Sequence, residues 1–442
     1  MNIIYNIAAN AANGFLKLYS RCLSRDCHRK FPMFALAQQG LTDRIRAEME
    51  ADRSGRPRVW FHCASLGEYG VARPLITRLK AKTGCTVVLT FFSPTGYNAL
   101  SQRPHPDVDH LFHLPVDTRD NARHFIETVR PSKAVFIISE YWPNYLQQLK
   151  FHSVPTYLVS AIIRSNSQFF RWYGRTYRKS LSAFQRIFVL NKESEFNLRM
   201  LGYTDVTLSG DPLFDNAAQV ASTPWHDDVI ARFAAEQQVF IAGSISDDRD
   251  LAMVSQLADA NPDTRFIFVP HEIGSKSISH IQASVPGRSK LYTECSAETD
   301  FTHTQVLIID TMGLLAYLYR YGTWAYVGGG FTPFLHSVIE ATVYGLPVAF
   351  GPRIERKVTP QQLIQHGIGA MTDTPEALAE WFGSLKNNPA RLDEIRRSAK
   401  AYVDSNLGAT REIVETIAAG LTAATEDSSD LSYQFHNPSE AQ

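Results

Sequence analysis

Residues 326–351 read Y-V-G-G-G-F-T-P-F-L-H-S-V-I-E-A-T-V-Y-G-L-P-V-A-F-G. A short β-rich run enters three consecutive glycines, Gly328, Gly329 and Gly330, and a helical pattern is expected from Leu335. Glycines let a backbone approach a phosphate, and free amides at a helix start offer donors and a positive dipole end. Glu340, one turn inside the expected helix, is placed to accept hydrogen bonds from ribose hydroxyls. Pro347, soon after Gly345, opens the next buried strand. A tight turn beside a surface glutamate is the structural alternative for the triplet alone. The whole string, with its E-A-x-x-x-G-x-P-V ending, points to a nucleotide.

Working outward, the same strand-and-helix rhythm fills the second half. Strands are expected at 239–242, 265–269, 290–292, 305–309, 324–327 and 347–350, with helices at 248–260, 275–284, 313–320, 335–344, 375–386 and 391–403. Three further strand ends converge on the glycine string: Ala242–Gly243–Ser244 with Asp247 nearby, V-P-H-E-I-G with Pro270, His271 and Glu272, and D-T-M-G-L-L with Met312, Gly313 and Leu314. No G-x-G-x-x-G follows any of these strands, so nicotinamide and flavin chemistry lack their usual signature. The first half alternates in the same way, with strands at 59–63, 86–92, 111–114, 134–138, 156–159, 187–190 and 206–209. Helices are expected between them at 71–82, 118–129, 142–151 and 169–181. Such alternation specifies an α/β protein of two facing, Rossmann-like, doubly wound domains, with a ligand cleft at the carboxyl ends of both sheets. The expected boundaries are an amino-terminal helical segment 1–50, a first domain 51–215, a linker 216–236, a second domain 237–420 and a flexible tail 421–442.

The chain has 442 residues, which exceeds what one hydrophobic core usually serves. Its 44 Lys and Arg balance 44 Asp and Glu, which argues against coating nucleic acid by bulk charge. Five cysteines (Cys22, Cys27, Cys63, Cys85 and Cys295) form no C-x-x-C pair and fit no zinc module. They read as reduced thiols, with Cys63 and Cys85 buried in strand patterns.

The charge is unevenly placed. Residues 1–31 carry Lys17, Arg21, Arg25, Arg29 and Lys30 against one acid, Asp26. Before them, Asn2, Asn6, Asn10, Asn13 and Lys17 recur on one helical face, with Ile3, Ile4, Ile7, Ala8, Ala11, Phe15 and Leu18 largely opposite. A secretory signal would place charge ahead of the apolar run, and a spanning helix would not carry a row of asparagines. An amphipathic helix in a membrane interface, trailed by basic residues, satisfies both facts. A helix packed on its own domain is the alternative. A second basic stretch, Arg164, Arg171, Arg175, Arg178 and Lys179, interleaves with Phe169, Phe170, Trp172, Tyr173 and Tyr177. Arginines suit phosphates and aromatics suit a membrane interface, although single-stranded nucleic acid or a packed helix would use the same mixture.

Two acids sit at strand ends in the first half. V-W-F-H-C runs into A-S-L-G-E-Y-G, with Ser65, Gly67 and Glu68 before a helix expected beyond Gly70. Glu140 stands in I-I-S-E-Y-W-P-N. A carboxylate there can take a proton from a substrate hydroxyl, while helix capping is the structural alternative for Ser65 and Glu68. One D-x-D, Asp107–Val108–Asp109, lies in a loop before a strand and reads as loop acids.

The glycine string resembles the nucleotide-sugar site of GT-B glycosyltransferases, with Thr332 where many enzymes using a UDP- or GDP-sugar carry a second glutamate. Together with V-W-F-H-C-A-S-L-G-E, T-F-F-S-P-T-G-Y, L-P-V-D-T-x-x-N-A, S-E-Y-W-P-N, F-F-R-W-Y-G, V-P-H-E and D-T-M-G, the chain resembles the 3-deoxy-D-manno-octulosonic acid (Kdo) transferases of Gram-negative bacteria. The resemblance implies an inverting, metal-independent transfer of Kdo from CMP-Kdo to a lipid A precursor, by a protein peripheral on the cytoplasmic side of the inner membrane. It places the general base on Glu68 and transition-state stabilisation on Glu140. CMP contacts fall on Ser244, Pro270, His271, the stretch Met312, Gly313 and Leu314, Gly329, Gly330, and Ser337, Val338, Ile339 and Glu340. Ser65, Gly67, Arg171, Arg175 and Arg178 fall to the acceptor and its lipid. The chain departs from the family at Ser337, usually Asn, at Leu314, usually Glu, and at Leu213, usually basic. A UDP-sugar transferase or epimerase, and a nucleotide- or lipid-binding scaffold without activity, are the competing readings.

Overall fold

The computed structural model describes residues 3–23, 30–172, 174–235, 237–355 and 357–421. The expected tail beyond Leu421, together with Arg25, Cys27, Arg29 and Tyr173, lies outside the described residues.

The chain forms two compact units, 1–212 with 408–442, and 213–407. The first holds β1 (Arg58–Cys63), β2 (Thr86–Phe91), β3 (His110–His113), β4 (Lys133–Ile137), β5 (Thr156–Ala161), β6 (Arg186–Val189) and β7 (Val206–Leu208). They lie in the order β3-β2-β1-β4-β5-β6-β7, all pairs parallel. The second holds β8 (Val239–Ile245), β9 (Arg265–Pro270), β10 (Ser289–Leu291), β11 (Val306–Ile308), β12 (Trp324–Val327), β13 (Val348–Phe350) and β14 (Gly369–Met371). Their order is β10-β11-β9-β8-β12-β13-β14, again parallel. Parallel strands with helices on both faces are buried on both sides, which is why β2, β4 and β5 are buried at every position.

Chain order reverses between β1 and β4 in the first sheet and between β8 and β12 in the second. Open α/β sheets bind ligands outside the carboxyl ends of their strands at such a reversal. Strands β1 and β4 lead to Glu68 and Glu140, and β8 and β12 lead to Ser244 and the glycine triplet.

Several expected boundaries are corrected. The second unit begins at Leu213, and residues 213–235 are two helices, Pro212–Ser222 and Asp228–Ala234, rather than a linker. Residues from 408 onward belong to the first unit: the helix Ala409–Ala418 packs on the helix Leu66–Thr83, Lys82 pairs with Glu415, and Lys133 donates to the Ala419 carbonyl. Strand β14 was not expected. The helix expected over 169–181 is broken into a short turn Gln168–Phe170 and a helix Arg175–Leu181. Gly174, between them, lies so close to the carbonyls of Gln168, Phe169 and Arg171 that a Cβ would not fit.

The amino-terminal helix, Ile3–Ser20, turns much of its apolar face outward. Leu16 and Ser20 are buried and Tyr5 donates to Asp117, whereas Ile3, Ile4, Ile7, Phe15 and Leu18 are exposed, Ile4 at 77%. Phe15 stacks on Tyr19, and Phe31 packs at a tilt against both. Among the described residues no helix is long and apolar enough to cross a membrane.

Candidate active site

In the first unit, β1 turns at Ala64 directly into the helix Leu66–Thr83, five residues earlier than expected. The S-x-x-E sequence explains this early start. Ser65 is the N-cap and accepts from the Glu68 amide at 3.4 Å, and the Glu68 carboxylate reaches back to the Ala64 amide. Capping, the structural alternative for these residues, is therefore realised. It also pins one oxygen of Glu68 at the strand end. Exposed Gly67 lies in the same first turn.

Glu140 follows β4, beyond Ile138, whose φ of 65° is uncommon for a β-branched residue and bends the chain out of the strand. Its Oε2 lies 2.6 Å from Trp142 Nε1 and 3.1 Å from His62 Nε2. Burial, then the Glu140 charge, push the Glu68 carboxyl up to about 8, against the lowering effect of the Ala64 and Ser65 amides. Burial, with both glutamates adding to it, also raises the Cys63 thiol. Cys63 and Cys85 are buried free thiols, as the strand pattern implied. His62 and Trp142 were not singled out by the sequence reading, although both lie inside the quoted motifs.

In the second unit the glycine segment is built differently from expectation. The Gly328 amide donates to the Gly243 carbonyl at 2.9 Å, and the Gly329 amide to Asp250 Oδ2 at 2.8 Å. These two amides hold the loop itself instead of standing free for a phosphate. Gly329 has φ +86°, and a Cβ on Gly330 would come within 2.5 Å of the Gly351 nitrogen. The glycines are thus required by close backbone packing. Asp250, fully buried, also accepts from the Ser246 amide at 3.0 Å and the Tyr326 hydroxyl at 2.9 Å. Sequence reasoning missed it, because an aspartate in a helix first turn is unremarkable by pattern.

The helix expected from Leu335 is only Ile339–Thr342. Residues 335–338 fold back instead: the His336 amide donates to the Gly328 carbonyl and Leu335 is buried. Glu340 therefore stands in the first turn, and burial pushes its carboxyl up to about 7. Ser337 and Val338 precede that turn. The helix expected at Gly313 likewise starts at Leu315, with Gly313 at φ +91°, Leu314 as N-cap and Met312 exposed.

Ser244 (φ 55°) sits at a β8 bulge beside Gly328, and Pro270 ends the neighbouring β9. Exposed His271 packs at a tilt against His336, with ring centroids 4.3 Å apart. Ser246 Oγ donates to the Ser244 carbonyl, so His336 Nε2, 2.9 Å from that oxygen, is the donor between them. Burial, with His271 and Lys357 adding to it, lowers His336 to about 4 and keeps it neutral. His336, like Asp250, was not named by the sequence reading.

Elsewhere, Asp107 accepts from Thr77, while Asp109 binds Lys80, Arg56 and the Val87 amide. In the basic stretch, Arg178 donates to the carbonyls of Phe169 and Arg171, so it braces the turn. Phe169 is buried, whereas Arg171 and Arg175 are exposed beside Trp172, which is 92% exposed.

The family model described as 3-deoxy-D-manno-octulosonic-acid transferase matches residues 39–216. A protein of that name from Bordetella pertussis is 24% identical over 94% of this chain and 98% of its own length. One from Chlamydia pneumoniae is 25% identical over 78% of this chain and 81% of its own length. Among solved structures, a UDP-GlcNAc 2-epimerase from Neisseria meningitidis bound to UDP-GlcNAc superposes with TM-score 0.59 at 14% identity, covering 82% of this chain and all of that one. Acinetobacter baumannii MurG does so with TM-score 0.54 at 12% identity, covering 82% and 99%. At such identities these structures establish the fold, a GT-B arrangement of two α/β sheets.

Proposed function

The chain belongs to the Kdo transferase family of glycosyltransferases, and from that premise we propose that it transfers Kdo from CMP-Kdo to a hydroxyl of a lipid A precursor, with inversion at the anomeric carbon. The observation that carries the chemistry is the pair Glu68 and Glu140, set where chain order reverses between β1 and β4, with Glu68 raised to about 8. A general base is most effective when its pKa lies near the working pH. One Glu68 oxygen is held by the Ala64 amide, and the other takes the acceptor proton.

As that proton leaves, the acceptor oxygen bonds to the anomeric carbon and the carbon–oxygen bond to CMP breaks. Glu140, held by Trp142 and His62, faces the positive charge that grows on the sugar. CMP leaves as a phosphate monoester. The amides of residues 337–340 and the Glu340 carboxylate suit its phosphate and ribose, while Gly329 and Gly330 give the loop the shape that admits them. Pro270, His271, Ser244 and Met312, Gly313 and Leu314 line the neighbouring strand ends.

The acceptor is a lipid, and the amino-terminal helix supports that reading. Its outward apolar face, with Phe31 alongside and Lys17 and Arg21 near its end, suits the interface of an anionic bilayer. Exposed Arg171, Arg175 and Trp172 extend the same chemistry toward a phosphorylated headgroup. The working place is then the cytoplasmic surface of the inner membrane.

The test is incubation with CMP-Kdo and a tetraacylated lipid A precursor, with product read by mass spectrometry. Glu68→Gln should lower turnover by about 10²- to 10⁴-fold and leave CMP affinity nearly unchanged. Near-normal turnover in that variant removes Glu68 as the base. Absence of product from the unaltered chain removes the proposed reaction.

A further inference from the structure

His62 is fully buried, yet it lies in β1 on the edge of the reacting site. Its ring is wedged beside Trp60, Phe136 and Trp142, with centroids 6.4, 5.8 and 6.1 Å away. Both ring nitrogens are engaged. Nδ1 is 2.8 Å from Thr90 Oγ1, and Nε2 is 3.1 Å from Glu140 Oε2. The direction of the chain follows from its first member. An indole N–H only donates, so Trp60 Nε1, 2.8 Å from Thr90 Oγ1, occupies an acceptor position of that hydroxyl.

The Thr90 hydrogen then has two targets, His62 Nδ1 at 2.8 Å and the Phe61 carbonyl at 3.4 Å. The nearer one makes Nδ1 the acceptor and leaves the imidazole proton on Nε2, aimed at Glu140. The second ring nitrogen is thereby assigned by the partner of the first. Trp142 Nε1 lies 3.1 Å from His62 Nε2 but only 2.6 Å from the same Glu140 oxygen, and the nearer partner takes its hydrogen. Two donors hold Oε2, and Oε1 is left for the substrate.

The backbone alone does not supply this aim. Glu140 stands outside β4, two residues beyond the bend at Ile138, so its side chain needs lateral support. We propose that His62 is a positioning residue for the transfer: through the Trp60–Thr90–His62 chain it fixes the rotamer of Glu140 and orders its free oxygen toward the reacting carbon. The inference rests on the function proposed above. It adds a residue that does not touch substrate and acts only through Glu140.

A double-mutant cycle on the full chain tests it, reading kcat, the KM for CMP-Kdo and CMP affinity for His62→Phe, Glu140→Gln and the pair. His62→Phe should lower kcat on the order of 10- to 100-fold, the scale of a misplacement near 1 Å, with CMP affinity and KM little changed. In the double variant the loss should match that of Glu140→Gln alone within about twofold, because residues acting as a unit are not additive. His62→Gln, whose side-chain amide can donate to Glu140, should recover most of the rate.

Multiplicative losses in the double variant overturn the inference, as does a wild-type rate for His62→Phe beside an impaired Glu140→Gln. A wild-type rate for Glu140→Gln overturns both this inference and the role given to Glu140. No transfer by the unaltered chain fails the underlying reading and takes the inference with it. If His62→Phe does not fold, His62→Asn, too short to reach Glu140, enters the same cycle with the same outcomes.

Discussion

The two units have nearly the same sheet and solve different problems at the same place in it. At the β1–β4 reversal the site is made of side chains: Glu68, Glu140, His62 and Trp142. At the β8–β12 reversal it is made of backbone, glycines packed on glycines around one buried carboxylate, Asp250. The difference matches the chemistry proposed for each. Moving a proton needs groups whose pKa can be placed, and burial beside a like charge places it. Shaping a loop for a nucleotide needs backbone packed closer than a Cβ allows. One site should therefore fail through charge and the other through volume.

The second site should break through volume. In Gly330→Ala the new methyl meets the Gly351 backbone at 2.5 Å, and no rotamer change relieves a backbone contact. Overpacking of this kind costs about 1–3 kcal/mol, and here it also moves the loop. CMP affinity should fall at least tenfold and the melting temperature should drop. A variant that binds CMP and melts like the unaltered chain would show that the glycine loop is not shaped by close packing.

A second change isolates the carboxylate under that loop. Asp250→Ala leaves the Ser246 and Gly329 amides and the Tyr326 hydroxyl without their acceptor. Orphaned buried polar groups cost about 1–3 kcal/mol each, reduced where water can enter. Asp250→Asn keeps an oxygen for the two amides and turns its NH2 toward Tyr326, whose oxygen can accept. Asparagine should therefore retain most of the stability and CMP binding that alanine loses. Equal losses would mean that the charge of Asp250, and not its geometry, holds the loop.

The same contrast explains what could be read from the sequence. The strands were legible because continuous apolar runs such as T-V-V-L-T-F are what a sheet covered on both faces requires. The acids at strand ends were legible because position after a strand is a property of sequence. Their neighbours were not: His62 meets Glu140 across 78 residues, and Asp250 meets Gly329 across 79. Such pairings exist only once the sheet order is known. The helix start at Leu66 was written in S-L-G-E as a capping box, yet the glycines in L-G-E-Y-G argued for a loop. The helix Leu41–Ala51 had its signal too, with Leu41, Ile45 and Met49 four apart, hidden among charged residues. The short helix at Glu340 could not be anticipated, because residues 335–338 close over Gly328 through a tertiary hydrogen bond.

Charge should act in the first unit with a sign opposite to function. Glu68 titrates at about 8 in the fold against 4.5 as its ordinary value. Between those pH values the folded chain keeps a proton that the unfolded chain has released, so stability falls as pH rises across that window. Below about 4.5 both states are protonated and the effect vanishes. The burial-raised carboxyls of Glu340 and Asp117 add slopes of the same sign, but they are present in both proteins when Glu68→Gln is compared with the unaltered chain. Glutamine has no proton to lose. Its melting temperature should exceed that of the unaltered chain at pH 8.5 by a few °C, about the scale of 1 kcal/mol in a domain of this size. The gap should close toward pH 4.5. Turnover of the unaltered chain should climb over the upper part of the same range, reaching half its plateau near pH 8 as Glu68 ionises. A melting gap independent of pH would mean that Glu68 is not held protonated by its surroundings. The first site would then be shaped by packing, like the second.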